Sequence, residues 1–257
     1  MKAMILAAGL GTRLRPLTSD RPKALVEIAG HTLLEIALNR LRSIGISEII
    51  VNAHHFAGSI VEYLHANQNF GMHIEVSLEP DLLDTGGGLK HAAHFFLNSA
   101  GGHAPEPFLV HNVDVISTID LRRMIHSHIE SNALATLAVQ HRETSRYLLF
   151  DQQGQLCGRQ TKHAITAATE PITELVHPAQ NPQPMAFCGI HAVSPRIFSK
   201  MEEQGAFSII NTYLRLAAQG ETIAAFPTGR AYWQDLGRPE NITQATHDLS
   251  IGKFRLT

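Results

Sequence analysis

Residues 6–25 read Leu-Ala-Ala-Gly-Leu-Gly-Thr-Arg-Leu-Arg-Pro-Leu-Thr-Ser-Asp-Arg-Pro-Lys-Ala-Leu, an apolar run that breaks into a loop carrying Arg13, Arg15 and Lys23. Glycines let backbone N–H groups approach an anion closely, and cations along the same loop neutralise a polyphosphate. The chemistry this suits is a triphosphate grip at the end of a first strand. Two better-known phosphate loops do not fit. No Gly-Lys-Ser/Thr closes a Walker-type run after Gly9 or Gly11, and Leu14 stands where a dinucleotide fingerprint needs its third glycine.

Three other stretches carry chemistry. Asp84-Thr85-Gly86-Gly87-Gly88-Leu89 precedes a helical pattern, and bare backbone there can lie against a base or ribose. A plain flexible start to the helix is the other reading. His111-Asn112-Val113-Asp114 ends a short apolar strand, where an aspartate facing the phosphate loop can hold a divalent cation or merely close a turn. Tyr232-Trp233-Gln234-Asp235-Leu236-Gly237 offers a second carboxylate in Asp235, again with a turn role open. Two carboxylates plus phosphate oxygens are the usual way to bind Mg²⁺ without a closed cage.

The elements that must position these residues alternate. Strands are expected at Lys2 to Ala8, Glu48 to Asn52, His73 to Leu78, Phe108 to His111 and Ala135 to Val139. Between them fall helices at Leu33 to Ile44, Ala57 to Ala66, Gly88 to Phe96 and, capped by Asp120, up to Asn132. This βαβα rhythm predicts an α/β fold, a mostly parallel sheet with helices on both faces and ligands beyond the carboxyl ends of its strands. From Tyr147 the pattern changes: a hairpin over 147–158, an irregular excursion from Arg159 to Pro184, and a strand from Met185 to Val193. A helix at Ile209 to Ala218, a strand at Thr222 to Phe226 and a helix opened by Pro239 complete the chain. The reading is one domain over 1–257, with a nucleotide-binding half to about residue 140 and a smaller substrate-side lobe after it.

The chain has 257 residues, 44% hydrophobic and 17% charged, with a net charge of −2. It therefore lacks a global basic field for nucleic acid or an anionic membrane. Cys157 and Cys188 form neither a disulfide framework nor a zinc pattern, and no segment reaches the ~18 apolar residues of a membrane span, so a cytoplasmic protein is expected. The apolar run at the N-terminus is too short for a signal peptide. The 16 histidines have no metal-ligand spacing and are read as scattered, solvent-facing residues. Oligomeric state is left open.

Together the four stretches resemble the sugar-nucleotide-forming nucleotidyltransferases from Met1 to about Leu249, most specifically in Gly-x-Gly-Thr-Arg-Leu-x-Pro-Leu-Thr with the later Pro-Lys. The resemblance implies a Rossmann-like fold and Mg²⁺-dependent attack of a sugar 1-phosphate on the α-phosphate of an NTP, UTP or GTP, giving an NDP-sugar and pyrophosphate. By matching motif, Arg13, Lys23 and Asp114 are the catalytic residues. Ala8, Gly9, Gly11, Thr12, Arg13, Gly86 and Gly87 are nucleotide-binding, and Asp114 and Asp235 hold the metal. Lys23, Asn112, Glu174 and Gly189 face the sugar phosphate. Length and opening sequence look most like N-acetylmuramate 1-phosphate uridylyltransferases; mannose 1-phosphate guanylyltransferases and other sugar or choline phosphate transferases share the motifs. A catalytically silent nucleotide-sensing subunit would keep the fold but lose one of Arg13, Lys23, Asp114 or Asp235, and all four are present.

Three departures from the family pattern stand out. Val113 replaces a frequent glycine, which predicts altered substrate shape with metal binding retained. The Glu-Lys-Pro sugar motif is absent; Glu174, with Glu170 as second choice, substitutes for its glutamate and nothing for its lysine. No C-terminal hexapeptide β-helix follows.

Overall fold

The computed structural model describes residues 1–98, 105–162 and 171–256. Strand β1 (Lys2–Leu6) shows how a doubly covered sheet is encoded. Ala3, Met4 and Ile5 are all fully buried, Ala3 and Ile5 in the core on one face and Met4 in the core on the other. Alternate side chains of a strand point to opposite faces, so a continuous apolar run requires helices on both.

Two short paired strands, β2 (Glu27–Ile28) and β3 (His31–Thr32), lead into α1 (Leu33–Ser43). The Thr32 hydroxyl accepts the Glu35 N–H at 3.1 Å, a capping arrangement that starts the helix. There follow β4 (Glu48–Ala53), α2 (Ala57–Ala66), β5 (His73–Leu78), α3 (Asp84–His91), α4 (Ala93–Leu97), β6 (Phe108–Asn112), β7 (Val115–Ser117), α5 (Leu121–Ser131) and β8 (Ala135–Gln140). The second half contains β9 (Arg146–Phe150), β10 (Leu156–Thr161), β11 (Ile172–Leu175), β12 (Gln183–Val193), α6 (Ile209–Ala218), β13 (Ile223–Pro227), β14 (Trp233–Asp235) and α7 (Pro239–Ser250).

Strands β5-β4-β1-β6 pair in parallel, with Lys2 opposite Glu48 and Ala3 opposite Leu109. Strand β12 runs antiparallel to β6, and β8 and β13 restore the direction of β1, so the central sheet is mostly parallel. The start of β12 pairs instead with β9, extending the sheet into the antiparallel ribbon β9-β10-β11. One core packs Leu34, Leu38 and Leu41 of α1 and Leu121 and Met124 of α5 on the sheet; the other packs Leu89, Phe95, Phe96 and α6. Each fully buried Leu or Ile contributes about 1.5–3 kcal/mol.

Several expectations need correction. Strand β1 ends at Leu6, because the Ala7 N–H turns to the Asn52 side chain at 2.7 Å. The helix expected from Gly88 starts at Asp84, so its glycines lie inside it, and a break at Ala92 separates α4. The supposed irregular excursion after Arg159 contains β11 and the start of β12, and β10 runs on to Thr161. Strand β11 is exposed along its whole length, so no apolar alternation announces it. Residues 163–170, including Glu170, lie outside the described residues.

The histidines are not all on the surface. His111, His128 and His191 are at most 2% exposed. Burial depresses them to about 4, about 4 and about 3 respectively. His128 Nδ1 lies 2.9 Å from the Thr136 hydroxyl and His191 Nδ1 2.6 Å from the Tyr213 hydroxyl. They are neutral core polar groups with partners.

Candidate active site

A cleft of about 380 Å³ opens beyond the carboxyl ends of β1 and β6, where a sheet of this kind leaves room for a ligand. Ala7, Ala8 and Gly9 line one wall, Asn112 to Asp114 another, and Leu82, Asp84 and Thr85 a third. Lys23 reaches in from a short 3-10 turn, Lys23–Leu25.

The glycine loop is shaped by three local contacts. Gly11 takes the left-handed conformation (φ +65°), and its carbonyl accepts the Thr18 hydroxyl and the Leu14 N–H, each at 2.8 Å. Leu14 is fully buried and anchors the turn Thr12–Leu14, leaving Thr12 and Arg13 exposed. A Cβ on Gly11 would stand 3.2 Å from the Lys23 Cβ, so loop and lysine touch. The Arg13 guanidinium lies against Gly237, its Nη2 2.9 Å from where a Cβ there would be.

Asp114 and Asp235 are brought together by the small ladder between β7 and β14. Asp235 pairs with Val115, and the Leu236 N–H donates to the Asp114 carbonyl at 2.8 Å. Lys23 Nζ donates to Asp114 Oδ2, with side chains 12% and 13% exposed. The Gly237 N–H donates to Asp235 Oδ1 at 2.6 Å, and Asn241 Nδ2 donates to the Asp235 carbonyl at 2.7 Å. Burial first, and then the Asp114 charge, push the Asp235 carboxyl above its ordinary range. Two half-buried carboxylates served by one lysine have an excess of negative charge that a hard cation would offset. Among the described residues no third His, Cys, Asp or Glu joins them. A metal here would therefore take its remaining oxygens from phosphate and water.

The glycines of α3 do a different job from the one expected. Gly86 and Gly87 donate their N–H groups to the Phe207 carbonyl at 2.8 and 3.3 Å. A Cβ on Gly86 would stand 2.4 Å from the Phe207 ring, and one on Gly87 2.4 Å from the Gly205 carbonyl. They are small because the segment before α6 packs on them, and neither lines the cleft; Asp84 and Thr85 do. Asp84 is itself left-handed (φ +57°), and its Oδ1 accepts the Thr85 N–H at 2.5 Å.

Sequence reasoning missed the residues that hold these walls together. Asn52 accepts the Ala7 N–H and donates to Glu79 Oε1 at 2.6 Å, and Glu79 Oε2 accepts the Leu83 N–H at 3.1 Å. This buried relay ties the glycine loop to α3. Its one sequence signal was an asparagine at the carboxyl end of an apolar strand.

On the substrate side, Asn112 lies at the cleft and Gly189 (φ +72°) lies behind it. A Cβ on Gly189 would stand 2.8 Å from Asn112 Nδ2, so this glycine makes room for Asn112 and does not itself line the cleft. Glu174 is on the exposed strand β11, paired with Arg159 at 2.7 Å, and is not part of the cleft wall. Val113, which stands where the family often has glycine, lines the cleft between Asn112 and Asp114 while most of its side chain, 4% exposed, packs in the core.

The sequence profile of the nucleotidyl transferase family matches residues 2–251. The chain belongs to the nucleotidyl transferase family. It is 32% identical over 241 residues to the N-acetylmuramate alpha-1-phosphate uridylyltransferase of Caulobacter vibrioides, covering 93% of this chain and 92% of that one. It is 29% identical over 248 residues to the mannose-1-phosphate guanyltransferase of Yarrowia lipolytica, 96% of this chain but only 63% of that longer protein. The fold matches the crystal structure of HddC from Yersinia pseudotuberculosis complexed with GMP-PN at a TM-score of 0.72 and 22% identity, covering 96% and 99% of the two chains. The protein is thus a sugar-phosphate nucleotidyltransferase with a Rossmann-like α/β fold.

Proposed function

We propose that this nucleotidyltransferase uses UTP and N-acetylmuramate 1-phosphate, forming UDP-N-acetylmuramate and pyrophosphate in the cytoplasm. The observation that carries the chemistry is the convergence of Lys23, Asp114 and Asp235 beside the glycine loop. The 32% identity and nearly full mutual coverage with the uridylyltransferase favour this substrate pair. Two buried free thiols, Cys157 and Cys188, suit a reducing compartment, and among the described residues no helix is long and apolar enough to cross a membrane.

The acceptor phosphate is already an anionic nucleophile, so the protein needs no strong general base. Its task is alignment and relief of charge repulsion between two anions. The Gly9 to Arg13 loop holds the triphosphate and Arg13 meets the charge that develops on the leaving pyrophosphate. Lys23 and Asn112 orient the acceptor phosphate for in-line attack on the α-phosphorus. Asp114 and Asp235 would hold Mg²⁺, which when bound screens the phosphate oxygens and polarises the α-phosphate.

The test is a pyrophosphate-release assay over UTP, GTP, CTP, TTP and ATP against a panel of sugar 1-phosphates, with and without Mg²⁺. The expected result is release with UTP and N-acetylmuramate 1-phosphate that disappears with chelator. A better rate with GTP and mannose 1-phosphate overturns the substrate assignment, and silence across the whole panel overturns the transferase.

A further inference from the structure

A second cavity, of about 450 Å³, lies in the substrate-side lobe between the ribbon β9-β10 and the start of α6. Its lining contains three guanidinium groups, Arg142, Arg146 and Arg159, and no carboxylate. Glu174 pairs with Arg159 from outside the lining. The chain as a whole has a net charge of −2, so three arginines around one cavity are a local departure from its average.

The cavity adjoins the catalytic cleft. Arg142 stacks 3.7 Å over the Trp233 ring, on the strand that ends at Asp235. Its Nη2 donates to the Phe187 carbonyl at 2.8 Å, and Phe187 lines the cavity two residues before Gly189, which backs Asn112 in the cleft. The two spaces also share a wall, because the cleft residue Thr85 accepts the Ile209 N–H between the cavity residues Ser208 and Ile210. The cavity therefore neighbours the place where Lys23 and Asn112 would hold the sugar 1-phosphate.

Guanidinium groups hydrogen-bond neutral hydroxyls as well, but their fixed charge and forked donors make charge-assisted, bidentate bonds to planar or tetrahedral anions about twice as strong. We propose that Arg142, Arg146 and Arg159 form a subsite for a second anionic group on the sugar, a carboxylate or phosphate in addition to the 1-phosphate. This rests on the sugar-phosphate reading of the cleft and identifies the side chains that select the acceptor.

The experiment compares matched acceptors with UTP and Mg²⁺. N-acetylmuramate 1-phosphate is set against N-acetylglucosamine 1-phosphate, which lacks only the carboxylate-bearing ether. Glucose 1,6-bisphosphate is set against glucose 1-phosphate for the phosphate arm. The acidic partner of at least one pair should lead by about tenfold or more in kcat/KM, and Arg146→Gln or Arg159→Gln should reduce that ratio by about tenfold. The pair that responds names the anion. Ratios near one in the wild type, or ratios that survive both substitutions, overturn the subsite. Titration calorimetry with free N-acetylmuramate and N-acetylglucosamine reads the preference without turnover: tighter binding of the acidic sugar, lost in Arg146→Gln, supports the subsite even if the nucleotide is wrongly assigned, and equal binding overturns it.

Discussion

Lys23 and Asp114 form an ion pair at the mouth of the cleft, each largely shielded from water, and Asp235 shares the same small volume. The arrangement is unbalanced. One ammonium group answers two carboxylates, and the burial that strengthens the pair penalises the second aspartate. The excess negative charge costs stability, and the cation and phosphate oxygens proposed for this site would offset it.

Asp235→Asn should therefore separate activity from stability. The amide keeps the shape and removes a buried like charge, so the melting temperature of the metal-free protein should stay level or rise. Pyrophosphate release should fall by about three orders of magnitude, because one of the two proposed metal ligands is lost. A thermal melt and a rate assay on the same preparation decide it; a large drop in melting temperature would mean that the carboxylate is structural.

Lys23→Gln should act in the opposite sense on the metal-free protein. It leaves two carboxylates without their lysine, so the variant should melt lower and recover more than the wild type when Mg²⁺ is added, by linkage of binding to folding. Its kcat/KM for the sugar phosphate should fall by about 10²-fold, the usual scale for one lost electrostatic contact. Melting temperature against Mg²⁺ concentration, for both proteins, is the measurement.

The chemistry-bearing residues were legible in the sequence where local pattern and position coincide. The end of β6 announced Asp114, and the strand-then-glycine pattern around Asp235 marked a turn at the site. What remained hidden was long-range or inverted. Gly86 and Gly87 look like ligand-facing backbone until Phe207 and Gly205 are seen against them. Arg142 carries no motif, and its place depends on Trp233, a residue far along the chain. Strand β11 escaped because an exposed edge strand has no buried face to pattern it.

Two glycine substitutions should part company. A Cβ on Gly88 would stand 2.5 Å from Glu79 Oε1 and 2.8 Å from Asn52 Nδ2, inside the buried relay, so Gly88→Ala should cost about 3 kcal/mol. Around Gly9 no atom lies within 4 Å of the added Cβ, and its backbone is not left-handed. Gly9→Ala should leave urea stability unchanged and raise the KM for the NTP, since Gly9 lines the cleft. Urea titrations and initial rates of the two variants test the contrast; equal destabilisation would refute the packing argument.

Acid should unfold this protein through its core histidines. His111, His128 and His191 bind protons more weakly in the folded state, at about 4, about 4 and about 3, than at the ordinary 6.5. Between about pH 6.5 and 4 the unfolded chain holds protons that the native state excludes, so stability rises with pH across that window. Each histidine adds up to about 1.4 kcal/mol per pH unit to the slope, and below their folded values the contribution stops growing. Urea midpoints should therefore fall steeply from pH 7 to pH 5. His128→Gln, which keeps a polar partner for Thr136 without a titrating ring, should show a shallower fall than the wild type. Parallel slopes for the two proteins would place the acid sensitivity elsewhere.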